Sequence, residues 1–501
     1  MKPPLKILLE MRPALDGHAG IPQEARLLFR ALNLLDQTTV EGLIQSSGQV
    51  LHRGLPSRAH RPHSLSMDQQ IDRLSRVVVS LQRNPRPRLA ERFHALLALG
   101  TAPIAMVLRY LSGQDEELSK FDATHFKDFI WRSLFAKTLP IDDIDAVTNA
   151  SFRVARVPWT AMHTCALLTR KLGHAVYPRL DTRDFDVMIA ETPYPASVSK
   201  RTKLVVRYHD AIPILMPHTI SDKSYHQASH FQALRCNVAN GAHFACVSDA
   251  TRRDLLSIFP EVEERAVTIH NMVSHHYFSE PSSPIRIREI IRTRLHTGQH
   301  VRARVHESLH GFSDILAQPL DFLLMVATIE PRKNHGTLLA AWEQLRTEKY
   351  SHLKLVIVGM LGWDHEAIVS RFQPWLERSE LFLLEAVPAA ELRILYRHAR
   401  ATVCPSYYEG FDFSGIEAMR CGGAVAASDI AVHRDVYGDA AEYFNPYSAE
   451  DAAVAIEKVI DPAQPTRRQE LISAGERTSA RYLPDHILPQ WHSFLQRLCA
   501  S

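Results

Sequence analysis

Two glutamates stand eight residues apart in the run Tyr407-Tyr408-Glu409-Gly410-Phe411-Asp412-Phe413-Ser414-Gly415-Ile416-Glu417-Ala418-Met419. The run follows the strand-like segment Ala401-Thr402-Val403-Cys404-Pro405, so Glu409 falls on a loop and Glu417 one turn into a helix. A loop carboxylate can hold sugar hydroxyls, N–H groups at a helix start can hold phosphate, and a carboxylate one turn further in can reach a ribose. That chemistry is the recognition of a nucleotide sugar. Ser414-x-x-Glu417 also fits a capping box, in which both side chains serve only the helix start.

A second group lies at Thr328-Ile329-Glu330-Pro331-Arg332-Lys333-Asn334, directly after the apolar run Leu323–Ala327. Arg332 and Lys333 at a strand end can neutralise a diphosphate. Pro-Arg-Lys-Asn is equally ordinary turn chemistry. His209-Asp210 follows the apolar run Leu204–Tyr208 and fits either a cleft residue or a structural turn.

The elements that would position these residues follow a regular plan. Lys6–Leu9 reads as a buried strand, the loop Asp16-Gly17-His18-Ala19-Gly20 follows, and a helix begins near Glu24 with Ala25, Leu28, Phe29 and Leu32 on one face. Apolar runs recur at 186–190, 204–208, 243–247 and 266–270, and again at 322–327, 353–358, 381–384 and 402–404, with helical stretches between them. Such alternation predicts parallel sheets. Residues 52–175 read as a mostly helical, arginine-rich insertion, and the basic stretch 281–318 reads as the boundary between two domains.

The chain has 501 residues, 46% of them hydrophobic and 23% charged, which suits a two-domain globular protein without extensive disorder. The net charge of +3 excludes a general polyanion binder. Between His52 and Arg109 ten arginines face only Asp68, Asp72 and Glu91, a local +7. Without interleaved aromatics this segment does not predict nucleic-acid binding. Beside the apolar stretch Ala95–Leu111 it suits either a solvated face or peripheral contact with an anionic membrane. The six cysteines form no C-x-x-C pair and suit reduced thiols. Met1-Lys2-Pro3-Pro4 leads into a strand rather than a long apolar segment, so a cytoplasmic protein is expected, reaching the membrane at most from its inner face. His275-His276 lacks carboxylates at ligand spacing, so no metal site is expected.

Together the Glu-Pro-Arg-Lys-Asn segment, Leu355-Val356-Ile357-Val358-Gly359, Leu395-Tyr396-Arg397-His398-Ala399, the paired glutamates and Gly422-Gly423 resemble the large family of retaining glycosyltransferases with the E-x7-E motif. Tyr208-His209-Asp210, the run from Val247 to Leu255 and Asn271 extend the resemblance. It implies the α/β architecture called GT-B, with two Rossmann-like domains facing across a cleft. These would span 1–300, carrying the insertion 52–175, and 301–485, with a C-terminal helix at 486–501 packing back on the first. Arg332 and Lys333 would bind the donor diphosphate and Glu409 the donor sugar, lined by the amides of Gly410, Phe411, Asp412 and Phe413. Ser414, Gly415 and Ile416 would present N–H groups to phosphate, and Glu417 would hold the ribose. His209 would face sugar and acceptor, and the Gly20 loop would lie under the phosphates or acceptor.

Three departures stand out. Thr328 replaces an arginine of many members, Asp412-Phe413-Ser414 replaces Gly-Leu-Pro, and Pro22, without an N–H, replaces a glycine. The implied reaction moves a sugar from a nucleotide-diphosphate sugar to a glycan or lipid-linked glycan without metal or other cofactor. Similarity to polysaccharide-assembling mannosyltransferases points to GDP-mannose. A sugar-nucleotide 2-epimerase of the same architecture and a silent glycan-binding subunit are the alternatives.

Overall fold

The computed structural model describes residues 3–17, 20–57, 65–82, 103–171, 175–296 and 320–500. Two sheets organise them. The first comprises β1 (Leu5–Glu10), β2 (Thr38–Ile44), β3 (Ser119–Phe121), β4 (Ser151–Val154), β5 (Val187–Ala190), β6 (Lys203–Tyr208), β7 (His243–Cys246) and β8 (Ala266–Thr268). Their spatial order is β3-β4-β2-β1-β5-β6-β7-β8. Every pair is parallel except the edge pair of β3 with β4. The second sheet comprises β9 (Phe322–Val326), β10 (Lys354–Val358), β11 (Leu381–Leu384), β12 (Ala401–Cys404), β13 (Val425–Ser428) and β14 (Ala441–Phe444), in the order β11-β10-β9-β12-β13-β14 and all parallel. Helices cover both faces, which is why β5 and β12 are buried at every position and read as unbroken apolar runs.

The helices that position the site are α1 (Ile21–Leu32), α2 (Asp249–Ile258), α3 (His335–Glu348), α4 (Ala389–His398), α5 (Phe413–Arg420), α6 (Ala431–Tyr437) and α7 (Pro484–Ala500). The last carries the chain back to the first lobe, where the Trp491 ring lies 5.3 Å from the Arg207 guanidinium.

Three expectations change. Residues 52–175 are mostly helical where described, but they also supply β3 and β4, which extend the first sheet at its edge. Thr38–Ile44 forms β2, a strand its mixed run of Thr, Glu and Gly conceals. The second lobe is reached before residue 300: Arg294 donates to Glu391 at 2.6 and 2.7 Å, and the His296 N–H to Leu383 O at 2.8 Å. The rest of the boundary stretch, 297–318, lies outside the described residues. So do His18 and Ala19, the apolar residues 95–102, and Arg58, Arg61, Arg83, Arg86, Arg88 and Arg92. No helix among the described residues is long and apolar enough to cross a membrane.

Candidate active site

The loop after β9 and the loop after β12 are neighbours because their strands are paired. Glu409 therefore meets both cations. Lys333 Nζ donates to Glu409 Oε1 at 2.5 Å, and Arg332 Nη1 to Glu409 Oε2 at 2.7 Å. Arg332 Nη2 also donates to the buried Glu330 at 2.7 Å. Burial pushes the Glu409 carboxyl up, but the two cations outweigh it and hold the group below the usual carboxylate range. Burial lowers the Arg332 guanidinium, and Glu409, Glu330 and Asp210 more than restore it. Asp210 belongs to the first lobe, so this cluster lies at the junction of the two.

Gly410 confirms that placement. A Cβ there would come within 1.9 Å of the His209 carbonyl oxygen, so only glycine lets the lobes approach this closely. Thr251 Oγ1, from α2, donates to Gly410 O at 3.2 Å across the same junction. Phe411 is a packing residue, buried between Phe413 and Tyr482 with ring centroids at 5.3 and 5.2 Å.

Asp412, not Ser414, caps α5. Its φ is +64°, and its Oδ1 accepts the Ser414 N–H at 3.1 Å and the Ser414 hydroxyl at 2.6 Å. Burial raises the Asp412 carboxyl, but hydrogen bonding from His433, with Lys333 nearby, drives it far below its ordinary value. The Ser414 N–H is thus already engaged, whereas the other first-turn amides of α5 have no partner within the helix. Gly415 passes beneath the Tyr437 ring, where a Cβ would lie 2.4 Å from ring atoms, and Ile416 is fully buried. The backbone, not these side chains, faces the helix entrance.

Glu417 makes no capping box. Its Oε1 accepts from Gln23 Nε2 at 2.8 Å and its Oε2 from the Tyr396 hydroxyl at 3.1 Å. Burial pushes its carboxyl up to about 7, against those hydrogen bonds. Gln23 lies in the first turn of α1, so the Gly20 loop, which enters α1 with φ +71°, borders α5 from the opposite lobe.

His209 is buried, its Nε2 lying 3.1 Å from Glu191 Oε2. Burial pushes the imidazole down to about 4 and the Glu191 carboxyl up to about 8. Glu191 and Gln23 join this cluster although the motif reading passes over them, and Glu330 joins it although that reading gives it no role. Glu191 directly follows β5, and a place on the loop after a strand is the signal that also marks Glu409.

His275 and His276 do have a carboxylate neighbour, contrary to the spacing argument. Asp143, His275 and His276 hold potential metal-ligand atoms within 4.8 Å of one another. Arg30 Nε lies 2.7 Å from Asp143 Oδ1, so a fixed guanidinium already balances that carboxylate.

Residues 314–478 match the family model described as Glycosyl transferases group 1. An O-antigen chain mannosyltransferase B of Escherichia coli is 28% identical over 200 residues, 40% of this chain and 46% of that protein. A serotype-specific mannosyltransferase WbdA of Escherichia coli is 31% identical over 156 residues, 31% of this chain and 19% of that protein. The chain thus spans less than half the length of these relatives. Among solved structures, sucrose-phosphate synthase from Thermosynechococcus elongatus superposes with a TM-score of 0.58 at 15% identity, over 99% of both chains. Anabaena HepE in complex with UDP and glucose gives 0.56 at 14% identity, over 98% of this chain and 100% of that one. Residues 314–478 thus resemble the glycosyl transferases group 1 family, and the two lobes together have the GT-B fold of these solved structures.

Proposed function

We propose that the protein is a retaining glycosyltransferase that moves a sugar, mannose from GDP-mannose, onto a glycan or lipid-linked glycan. The observation that carries this reading is Glu409 bridging Arg332 and Lys333 beside the entrance of α5, at the seam of two lobes. Cleaving a sugar–diphosphate bond builds negative charge on the departing oxygen, and fixed cations with helix amides lower that barrier. Arg332, Lys333 and the first turn of α5 would take the diphosphate, so the reading requires no metal. Lys333 would exchange Glu409 for phosphate, leaving the carboxylate to hold sugar hydroxyls. The acceptor would enter on the face the diphosphate leaves, and a phosphate oxygen would take its proton. His209 would orient the sugar rather than act as base.

The mannosyltransferase relatives support the mannose donor and glycan acceptor. The test is release of nucleoside diphosphate from a panel of nucleotide sugars with oligomannose acceptors. Turnover of GDP-mannose with retention, and loss of at least about 10²-fold on Lys333→Ala, is expected. Turnover unchanged in that variant would remove the site assignment.

Helix 103–111 exposes Ile104, Leu108 and Leu111, while Arg53 and Arg156 line a cavity against it beside Glu117 and the Arg109–Glu116 ion pair. This supports peripheral contact with an anionic membrane, as a lipid-linked acceptor would require. Co-sedimentation with anionic but not neutral vesicles, weakened by salt, is the expected result. Equal behaviour with both would count against it.

A further inference from the structure

Three adjacent parallel strands end in titratable residues: Glu10 closes β1, Glu191 follows β5 and His209 follows β6. Their side chains form one chain of contacts. Arg12 Nε donates to Glu10 Oε1 at 2.7 Å, Glu10 Oε2 accepts the Glu191 backbone N–H at 2.9 Å, and Glu191 Oε2 meets His209 Nε2 at 3.1 Å. Glu10 and Glu191 are fully buried. This is the edge at which open α/β sheets meet ligands, and His209 touches the Glu409 loop through Gly410.

We propose that Glu191 is a positioning residue that holds His209 in its Nδ1–H tautomer, so that the imidazole offers a neutral hydrogen-bond donor to the sugar or acceptor in the cleft. The inference rests on the transferase reading of the site. Its geometric basis is the placement of one proton. Glu191 Oε1 is buried and has no partner, so a proton there would donate to nothing. On Oε2 the proton donates to His209 Nε2, and the ring's own proton must then sit on Nδ1. Nδ1 makes no hydrogen bond to a described residue, which leaves it for a ligand. An ionised Glu191 would reverse the arrangement, with Nε2–H donating and Nδ1 accepting.

Burial of Glu191 is the main cause that favours the neutral acid. Glu10 on β1 and Glu24 on α1 oppose a further negative charge in this dry space. Arg12 and Arg207 favour it, but Arg12 is bonded to Glu10 and Arg207 to Glu24 and Asn271, the latter two at 2.9 and 2.7 Å. With His209 also neutral, the pair shares one mobile proton, and the switch falls near pH 8.

The test combines two readouts on the full-length protein. Nitrogen-15 NMR of labelled histidine, with His209 assigned by its loss in His209→Asn, reads the tautomer. The pH profile of turnover at saturating donor reads the consequence. Wild type should show the Nδ1–H form at about pH 6.5 and lose it above about pH 8, with turnover falling about fivefold or more over that range. Glu191→Gln, whose amide donates to Nε2 at every pH, should keep the Nδ1–H form and abolish the alkaline fall. Glu191→Ala should lower kcat about tenfold or more with little change in donor KM. An Nε2–H form at about pH 6.5, or an alkaline fall unchanged in Glu191→Gln, overturns the assignment. Absence of sugar transfer from every donor would instead refute the transferase reading, and the NMR spectrum would still decide the role of Glu191.

Discussion

Gly410 of the second lobe rests on the carbonyl oxygen of His209 of the first, so closely that a Cβ would lie 1.9 Å from that oxygen. The neighbour is backbone and cannot rotate away, so even alanine must push the lobes apart there. Each lobe has its own sheet, and the fold should survive. Gly410→Ala is expected to lower kcat/KM by about 10²-fold, the cost of displacing catalytic groups by an ångström. Its melting temperature should move by only a few degrees, roughly 1–2 kcal/mol in a chain this large. Steady-state kinetics beside calorimetry checks this, and full activity would show that the contact is not part of the working state.

Glu409 occupies the two cations that a diphosphate would need. Removing it leaves Arg332 and Lys333 half-buried without their shared partner, and an anionic ligand then faces less competition. Glu409→Ala should bind nucleoside diphosphate more tightly, by about 1 kcal/mol or more, yet turn over at least about 10²-fold more slowly. Calorimetric titration with the diphosphate measures the first effect and a donor assay the second. Weaker diphosphate binding in the variant would mean that Glu409 organises the cations instead of competing for them.

Glu417 gives a pH signature. Its folded-state value of about 7 lies above the ordinary 4.5, so the folded protein holds a proton that the unfolded chain releases. The stability tied to that proton is present below pH 4.5 and is lost as pH rises toward 7. Glu417→Gln cannot ionise, so it should gain on wild type between acid and neutral pH by up to about 3 kcal/mol. Denaturant titrations at both ends of that window test this, and a constant difference would contradict it. In the assay this variant should raise donor KM more than it lowers kcat, since ribose contacts act on ground and transition state alike.

What could be read from the sequence was local. The alternation of apolar runs gave the parallel strands, and Arg332, Lys333 and Glu409 could be placed because each lies on the loop that follows a strand. What depended on contacts between distant segments stayed hidden. Gln23 meets Glu417 across 394 residues and Glu191 meets His209 between strand ends, pairings that no spacing rule encodes. The capping box at Ser414 failed because Asp412, in a left-handed conformation, reached the helix start first. The edge strands β3 and β4 were missed because three- and four-residue strands carry too little periodicity amid helical sequence.

The account depends on Arg332 and Lys333 receiving the donor's diphosphate. Isothermal titration of wild type and the Arg332→Ala/Lys333→Ala double variant with GDP and GDP-mannose measures that directly. Saturable one-to-one binding in wild type, weakened by at least about 3 kcal/mol in the double variant while its folded spectrum persists, is the predicted result. Equal affinity in the two proteins would contradict the account.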